Sequence, residues 1–461
     1  MPEILKDILE SIKGTEQDFT KGKIGRAIIL LSIPMVLEMA MESIFALTDI
    51  FFVSRLGEDA VATVGITESI MTFMYAIGGG LSMAATGLIA RRIGERKPDK
   101  ASVAAAQAII AGLIISLILA IPGVIMTTDI LKLMGLEKSV IESGYKYTLI
   151  MLAGNGIIIL LFVNNAIFRS AGDAAISMRV LWFANITNIL LDPCLIFGLG
   201  PFPKLGVAGA AVATTIGRGS AVIYQFYLLN RGTKRIQLKL RYIVPRIKIM
   251  LQLLKLSGGG IGQYLIATAS WIALYRIIAE FGKEAVAGYT IALRIIIFAL
   301  LPSWGMSNAA ATLVGQNLGA KKPQRASRSV LITSIANALF LLVIALILVV
   351  VPDLFIGFFN QKPEVEEIAV ASLRIISYGF VFYAVGMVIT QSFNGAGDTY
   401  TPTILNFICF WLIEIPLAYS LSIMNGFNER GVFWAIVIAE SILTTLGIII
   451  FYRGKWKLRK V

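Results

Sequence analysis

Residues 57–66 read GEDAVATVGI, and residues 282–291 read GKEAVAGYTI, a spacing of 225 residues. The same spacing relates IARRIGERKP (89–98) to VGQNLGAKKP (314–323) and RSAGDAAIS (169–177) to NGAGDTYTP (394–402). More weakly, it relates GVAGAAVATT (206–215) to GVFWAIVIAE (431–440). One offset shared by four separate matches marks an internal repeat. The chain reads as two copies of one unit, so the architecture follows from what one unit contains.

Each unit is mostly apolar. The 461-residue chain is 57% hydrophobic and only 15% charged, with a mean hydropathy of +0.80. A soluble protein carries about 25% charged residues. Apolar runs long enough to cross a bilayer recur throughout. They place twelve spans at 24–50, 61–90, 101–125, 140–168, 173–198, 207–229, 247–279, 285–316, 327–351, 365–393, 401–424 and 431–452. The fold expected is an all-α polytopic membrane protein, with twelve transmembrane helices in two six-helix repeats. Six is even, so both repeats enter from the same side and are parallel. The expected divisions are a tail (1–23), an N-lobe (24–229), a linker (230–246), a C-lobe (247–452) and a second tail (453–461). Two facing bundles leave a central cleft suited to alternating access. No selectivity filter of a channel is visible.

Charge fixes the expected orientation. Of the 41 Lys and Arg residues, 28 fall in tails and loops on one side of the spans and seven on the other. By the positive-inside rule both termini are cytoplasmic, in a prokaryotic cell membrane. The basic surface is expected to face anionic inner-leaflet lipid rather than nucleic acid. The polar, mixed-charge opening residues carry no separate signal peptide. Cys194 and Cys409 lie in apolar sequence and read as small buried residues. The chain has no histidine, so proton chemistry falls to carboxylates and tyrosines. No GxxxxGK[ST] loop and no nucleophile–base set is present. The chain is expected to be neither ATP-driven nor an enzyme.

Several acids interrupt the apolar runs. In NITNILLDP (185–193), Asn188 and Asp192 share a helix face. A carboxylate inside a span costs roughly 2.5–3.5 kcal/mol on insertion scales, so a cavity-facing role is expected; Pro193 also fits a helix end. Glu38, Glu42 and Asp49 form one stripe on the first span. Three ionised acids there would repel, so at least one must be protonated or paired with a cation. Asp49 also fits an interfacial position. Glu42 is a candidate for recognising cationic cargo, with Glu38 beside it. Pro34 removes one helical hydrogen bond and marks either a fixed kink or a hinge. Glu68 faces either the cavity or Arg55. Glu414, ahead of Pro416, and Glu440 are acids of the second repeat. Arg276 and Arg294 are intramembrane arginines and therefore functional candidates.

The ordered set LSIPMVLEMAMESIFALTDIFFVSRLG (31–57), RSAGD, LDP and NGAGDT, with the repeat, resembles the MATE (multidrug and toxic compound extrusion) family over essentially the whole chain. Within it the chain looks most like the DinF-like branch, whose important polar residues lie in the N-lobe. The resemblance implies ion-coupling roles for Asp49, Tyr147, Asn188, Asp192 and either Thr214 or Thr215, and a bend at Pro34. Asp49, Asn188, Asp192 and Thr214 would be the sodium ligands if sodium is the coupling ion. The NorM-like branch carries carboxylates in the seventh and tenth spans. Here the seventh has none and the matching tenth-span position is Tyr383. The function implied is secondary active efflux of cationic or amphiphilic small molecules by a monomer, coupled to H+ or Na+ and with no other cofactor. The alternative is a flippase or exporter of a lipid-linked precursor, which a basic cavity would favour.

Overall fold

The structure, a computed structural model, describes residues 3–14, 17–232, 235–359 and 362–459. Parts of the expected tails and linker (1–2, 15–16, 233–234 and 460–461) lie outside these residues. Every regular element described is helical. Ten helices are long and apolar enough to cross a membrane, or eleven when one pair bent by 54° counts as a single span. The protein is thus an all-α, multi-pass membrane protein.

A short helix, α1 (Glu3–Lys13), precedes α2 (Ile24–Ser54), α3 (Glu58–Gly94) and α4 (Pro98–Ile125). After α5 (Thr127–Leu133) come α6 (Lys138–Ala153) and α7 (Asn155–Ala171), which together make one span broken at Gly154. Next are α8 (Ala174–Phe197) and α9 (Val207–Arg231). The second half runs through α10 (Ile247–Ile278), α11 (Lys283–Gly319), α12 (Pro323–Val350) and the short α13 (Pro352–Ile356). The bent pair α14 (Pro363–Ser377) and α15 (Phe380–Gly395) follows, then α16 (Tyr400–Met424) and α17 (Glu429–Tyr452).

Helix α9 has 25 residues, about 37 Å at 1.5 Å per residue, yet it is not among the ten. Thr214, Arg218 and Gln225 are all buried on it, and they lower its apolar character. It is long enough to span but is polar on its inner face. α16 is irregular for another reason. Pro416 has no N–H and its ring collides with the carbonyl one turn back. The helix widens to π register over Phe407–Glu414, just before that proline.

Corresponding elements match closely. α3 and α11 each have 37 residues, and α4 and α12 each have 28; both pairs start 225 residues apart (58 and 283, 98 and 323). Arg96 and Lys321 both take a left-handed backbone at φ 58°. The following amides, of Lys97 and Lys322, reach back five residues to the carbonyls of Arg92 and Asn317, closing Schellman turns. Pro98 and Pro323 then open the next helices at their first position.

The halves interlock reciprocally: α2 packs on α11, and α10 packs on α3. At the ends of α3 and α11 the backbones touch. A Cβ at Gly94 would overlap the Gln316 carbonyl, and one at Gly319 would overlap the Arg91 carbonyl. Only glycine permits that approach. Residues 18–22 lie across this seam. Arg325 donates to the carbonyls of Phe19, Lys21 and Gly22, Lys322 donates to that of Thr20 at 2.8 Å, and Arg96 pairs with Asp18 at 3.4 Å. The outer faces of α4 and α12 expose Leu117, Ile118, Leu342 and Leu346, as lipid contact requires.

Candidate functional site

The acids of α2 face one space. A cavity of about 490 Å³ is lined by Glu38, Glu42 and Asp49 from α2 and by Glu68 and Tyr75 from α3. Tyr147, Asn165, Arg169, Thr214 and Arg218 come from the other helices of the first half. The second half closes it with Tyr264, Trp304 and Gln391. The stripe read from the sequence therefore lines a single cavity. Glu68 faces that cavity rather than Arg55, whose guanidinium sits over Phe51, 4.4 Å from the ring centre.

Two arginines pair with two of the acids. Arg169 donates to Glu38 Oε1 at 2.9 Å, with Asn165 Nδ2 at 3.3 Å on the same oxygen. Arg218 donates to Glu42 Oε1 at 3.0 Å, and Asn185 donates to Oε2 at 3.0 Å. The Arg218 guanidinium also lies 5.1 Å from the centre of the Phe45 ring. Both arginines are nearly enclosed, with side chains 12% and 8% exposed. Pairing offsets the repulsion expected of the stripe. Arg169, in the last turn of α7, reaches back to Glu38, and Glu42 is the acid of the stripe that pairs with Arg218. A lone arginine in TTIGRGSAV (214–222) is the signal that reveals Arg218, because an arginine is costly inside a span.

Asp49 and Glu68 have no such ion pair among the described residues. Tyr75 donates to Glu68 Oε2 at 3.4 Å. Asp49 interacts electrostatically with Glu68, Arg218 and Asp192.

Behind the cavity wall, Asp192 is fully enclosed and Asn188 is 1% exposed. Asn188 Nδ2 donates to Thr214 Oγ1 at 3.0 Å. Among the described residues, both carboxylate oxygens of Asp192 and Oδ1 of Asn188 have no hydrogen-bond partner. A buried acceptor left unmade costs about 1–3 kcal/mol, more when charged, so this set calls for a proton or a cation. Pro193 lies inside α8, so Asp192 is not at a helix end. Thr215 turns away, donating to the Ala211 carbonyl at 2.7 Å. Thr214, not Thr215, faces Asn188. Tyr147 lines the cavity within electrostatic range of Asp49 and Glu68. Among the described residues no group of three or more His, Cys, Asp or Glu is placed to hold a metal ion.

Pro34 lies within α2, which is one continuous helix here. The second half has its own smaller cavity, of about 190 Å³, lined by Tyr383, Glu440, Trp271 and Phe410 among others. Met83, Tyr264, Trp304 and Gln391 line both cavities, so they divide the expected central cleft in two. Tyr264 and Trp304 stack there at 5.7 Å. Glu440 and Tyr383, both in the second cavity's lining, interact electrostatically. Glu414 is buried nearby, outside that lining, with Oε2 unpartnered. Arg294 is exposed and lines neither cavity. Arg276 pairs along the exposed surface with Glu280 at 2.8 Å. Neither arginine belongs to the site.

The family model MatE matches residues 34–194 and 261–420. A probable multidrug resistance protein, NorM, of Thermotoga maritima is 27% identical over 447 residues, covering 95% of this chain and 94% of that one. A solved outward-facing structure of a multidrug resistance MATE family transporter of the MOP superfamily is 25% identical, with a TM-score of 0.89. It covers 95% of this chain and 97% of that one. A crystal structure of MATE in the bent conformation is also 25% identical, with a TM-score of 0.88, covering 97% and 98% of the two chains.

Proposed function

Because this chain belongs to the MatE family, we propose a transport cycle centred on the cavity of its first half. The protein is a secondary active multidrug efflux transporter, not an enzyme. Its cargo is small cationic or amphiphilic molecules. The observation that carries the site assignment is the set of unpartnered buried oxygens on Asp192 and Asn188, next to a cavity that holds four acids and two arginines.

The coupling ion, H+ or Na+, binds at Asp192 and Asp49, with Asn188 Oδ1 and Thr214 Oγ1 as further oxygen donors; neutral oxygens and carboxylates suit a hard cation. Tyr147 orders the wall beside Asp49. Glu38, Glu42 and Glu68 set the cavity's negative character and favour cationic cargo, while Arg169 and Arg218 hold Glu38 and Glu42 in place. When the ion binds, the field of Asp49 and Asp192 on this wall falls, and α2 bends at Pro34 to expel the cargo. Asp49 lies fifteen residues beyond Pro34, about 22 Å along the helix, so a small angle moves it by several ångström. That a similar MATE protein has been solved in a bent conformation supports looking for such a movement here.

The finer architecture we propose is twelve spans in two parallel six-helix repeats, with α9 as the sixth span and α14–α15 as the tenth. The divisions are the N-lobe (24–229), linker (230–246) and C-lobe (247–452). Supporting it are the matched helix lengths, the reciprocal packing and the two segments matched by the family model. Both termini face the cytoplasm on the charge argument, the basic surface meets anionic lipid, and the protein acts as a monomer. The concentration of polar residues in the first half supports a DinF-like assignment over a NorM-like one. A lipid-linked precursor fits less well, since acids outnumber arginines in the lining.

The test is export of a fluorescent organic cation from reconstituted vesicles, with proton and sodium gradients imposed separately. At least one gradient should drive export. Movement that ignores both gradients would remove the coupled mechanism.

A further inference from the structure

A third cavity lies away from both transport cavities. It has a volume of about 620 Å³ and sits where the end of α3, the start of α4, the linker and the start of α10 meet. Its cations are Arg92, Lys100, Arg241 and Arg246, against one acid, Asp99. Asp99 is already engaged, accepting from the Tyr242 hydroxyl at 2.5 Å and pairing with Arg241 at 3.6 Å. Arg92 pairs with Glu95 at 3.0 Å. Lys100 and Arg246 form no ion pair among the described residues. The positive ends of two long helices, α4 and α10, also point here, which favours an anion.

The linker is fixed in place. Gln107, fully buried on α4, donates to the carbonyls of Tyr242 and Val244 at 3.1 and 3.0 Å and accepts from the Arg246 amide at 2.6 Å. Arg241 and Arg246 are therefore presented on an anchored strand of chain rather than a loose one, which lowers the ordering cost of binding.

The floor is apolar: Leu88, Val103, Ala104 and Ile249. Further along α4, Ile114 is exposed on the membrane-facing surface. It lies fourteen residues past Lys100, close to four helical turns, and so on nearly the same face. The pocket therefore joins a basic rim to surface that meets acyl chains. A free anion would use the rim only.

We propose that this pocket binds the phosphate headgroup of an anionic phospholipid of the cytoplasmic leaflet, with its acyl chains along α4. It names one site on the basic surface and rests on the orientation proposed above. Bound lipid joins Arg92 and Lys100 of the first half to Arg246 and Ile249 at the entry to the second.

The test uses purified full-length protein and native mass spectrometry. Phosphatidylglycerol, phosphatidylcholine and inorganic phosphate are titrated separately. Phosphatidylglycerol should bind, phosphatidylcholine should bind far less, and inorganic phosphate should not displace the lipid at matched concentration. Lys100→Gln with Arg246→Gln should weaken phosphatidylglycerol binding about tenfold or more, as expected for two interfacial cations. The charge-keeping pair Lys100→Arg with Arg246→Lys should retain it, as should the control Arg328→Gln with Lys455→Gln. Unchanged affinity in the Gln pair overturns the proposal. So does equal binding of phosphatidylcholine, or displacement by phosphate alone. Binding to purified protein depends on neither transport nor orientation, so its failure would leave the transport cycle standing.

Discussion

The two cavities sit on either side of one shared wall and are built on matched helices, yet they differ in chemistry. The first holds four acids, two arginines and three tyrosines around about 490 Å³. The second holds about 190 Å³, walled largely by aromatic and other apolar side chains, with Glu440 as its one acid. The backbone plan is common to both halves, down to the left-handed residues after α3 and α11. The polar content is not. The duplicated scaffold has its acid-rich cavity in one copy, and the ion chemistry proposed above is placed there for that reason.

The largest expected effect breaks that comparison directly. Asp192→Asn should cut gradient-driven export about a hundredfold, equivalent to about 2.7 kcal/mol in rate. Glu414→Gln, the buried acid of the second half, should change it less than about threefold on the same scale. Initial rates in reconstituted vesicles decide this; equal losses would mean both halves couple.

The next effect concerns stability. Arg218→Gln strands Glu42. Losing one partner of a buried pair costs about 3–5 kcal/mol, and Glu42 is a third exposed, so about 2 kcal/mol is expected after that discount. Glu440→Gln, which breaks no ion pair among the described residues, should cost less than about 1 kcal/mol. Thermal unfolding in detergent measures both. Where the scaffold is symmetric, responses should be equal: Gly94→Ala and Gly319→Ala each force carbonyl overlap and should each cost about 1–3 kcal/mol. Unequal losses would show that the seam is not shared evenly. Pro34→Ala should keep the fold and slow export by about three- to tenfold, about 1 kcal/mol in barrier.

The smallest effect is acid sensitivity of the seam. Burial, the largest single influence, raises the carboxyls of Asp18 and Glu95, but their hydrogen bonds and neighbouring cations together hold both below their ordinary values. For Asp18 these are hydrogen bonds from Thr20 and the charges of Arg235 and Arg96; for Glu95 they are hydrogen bonds from, and the charges of, Lys97 and Arg92. A depressed folded value stabilises above the unfolded pKa and is lost as pH falls through the folded one. The strap over residues 18–22 should therefore hold at neutral pH and loosen only below about pH 4. Hydrogen exchange of that segment, followed against pH, reports it.

Much of this was legible in the sequence. Spacing alone put Glu38, Glu42 and Asp49 on one face, because a helix fixes which residues are neighbours. The 225-residue offset located the matching turns. What could not be read was pairing across helices. Arg169 precedes a Ser-Ala-Gly-Asp turn, and nothing in that position reveals that its long side chain reaches back to Glu38. Arg294 looked significant because it interrupts an apolar run, yet it points outward. Which of two adjacent threonines faces Asn188 depends on helix rotation, and α9 is too evenly small and polar for its pattern to set that angle. The lipid pocket depends on where a linker lies, and nothing in its composition reveals the grip of Gln107.

The central claim is that ion and cargo meet in the first half. Its most direct test is ion release triggered by cargo, measured on purified protein preloaded with protons or sodium. Wild type should release the coupling ion when an organic cation is added. Glu414→Gln should do the same, and Asp192→Asn should release none while still binding the cation. Undiminished release from Asp192→Asn, or its loss from Glu414→Gln alone, would contradict the account and move the coupling site to the second half.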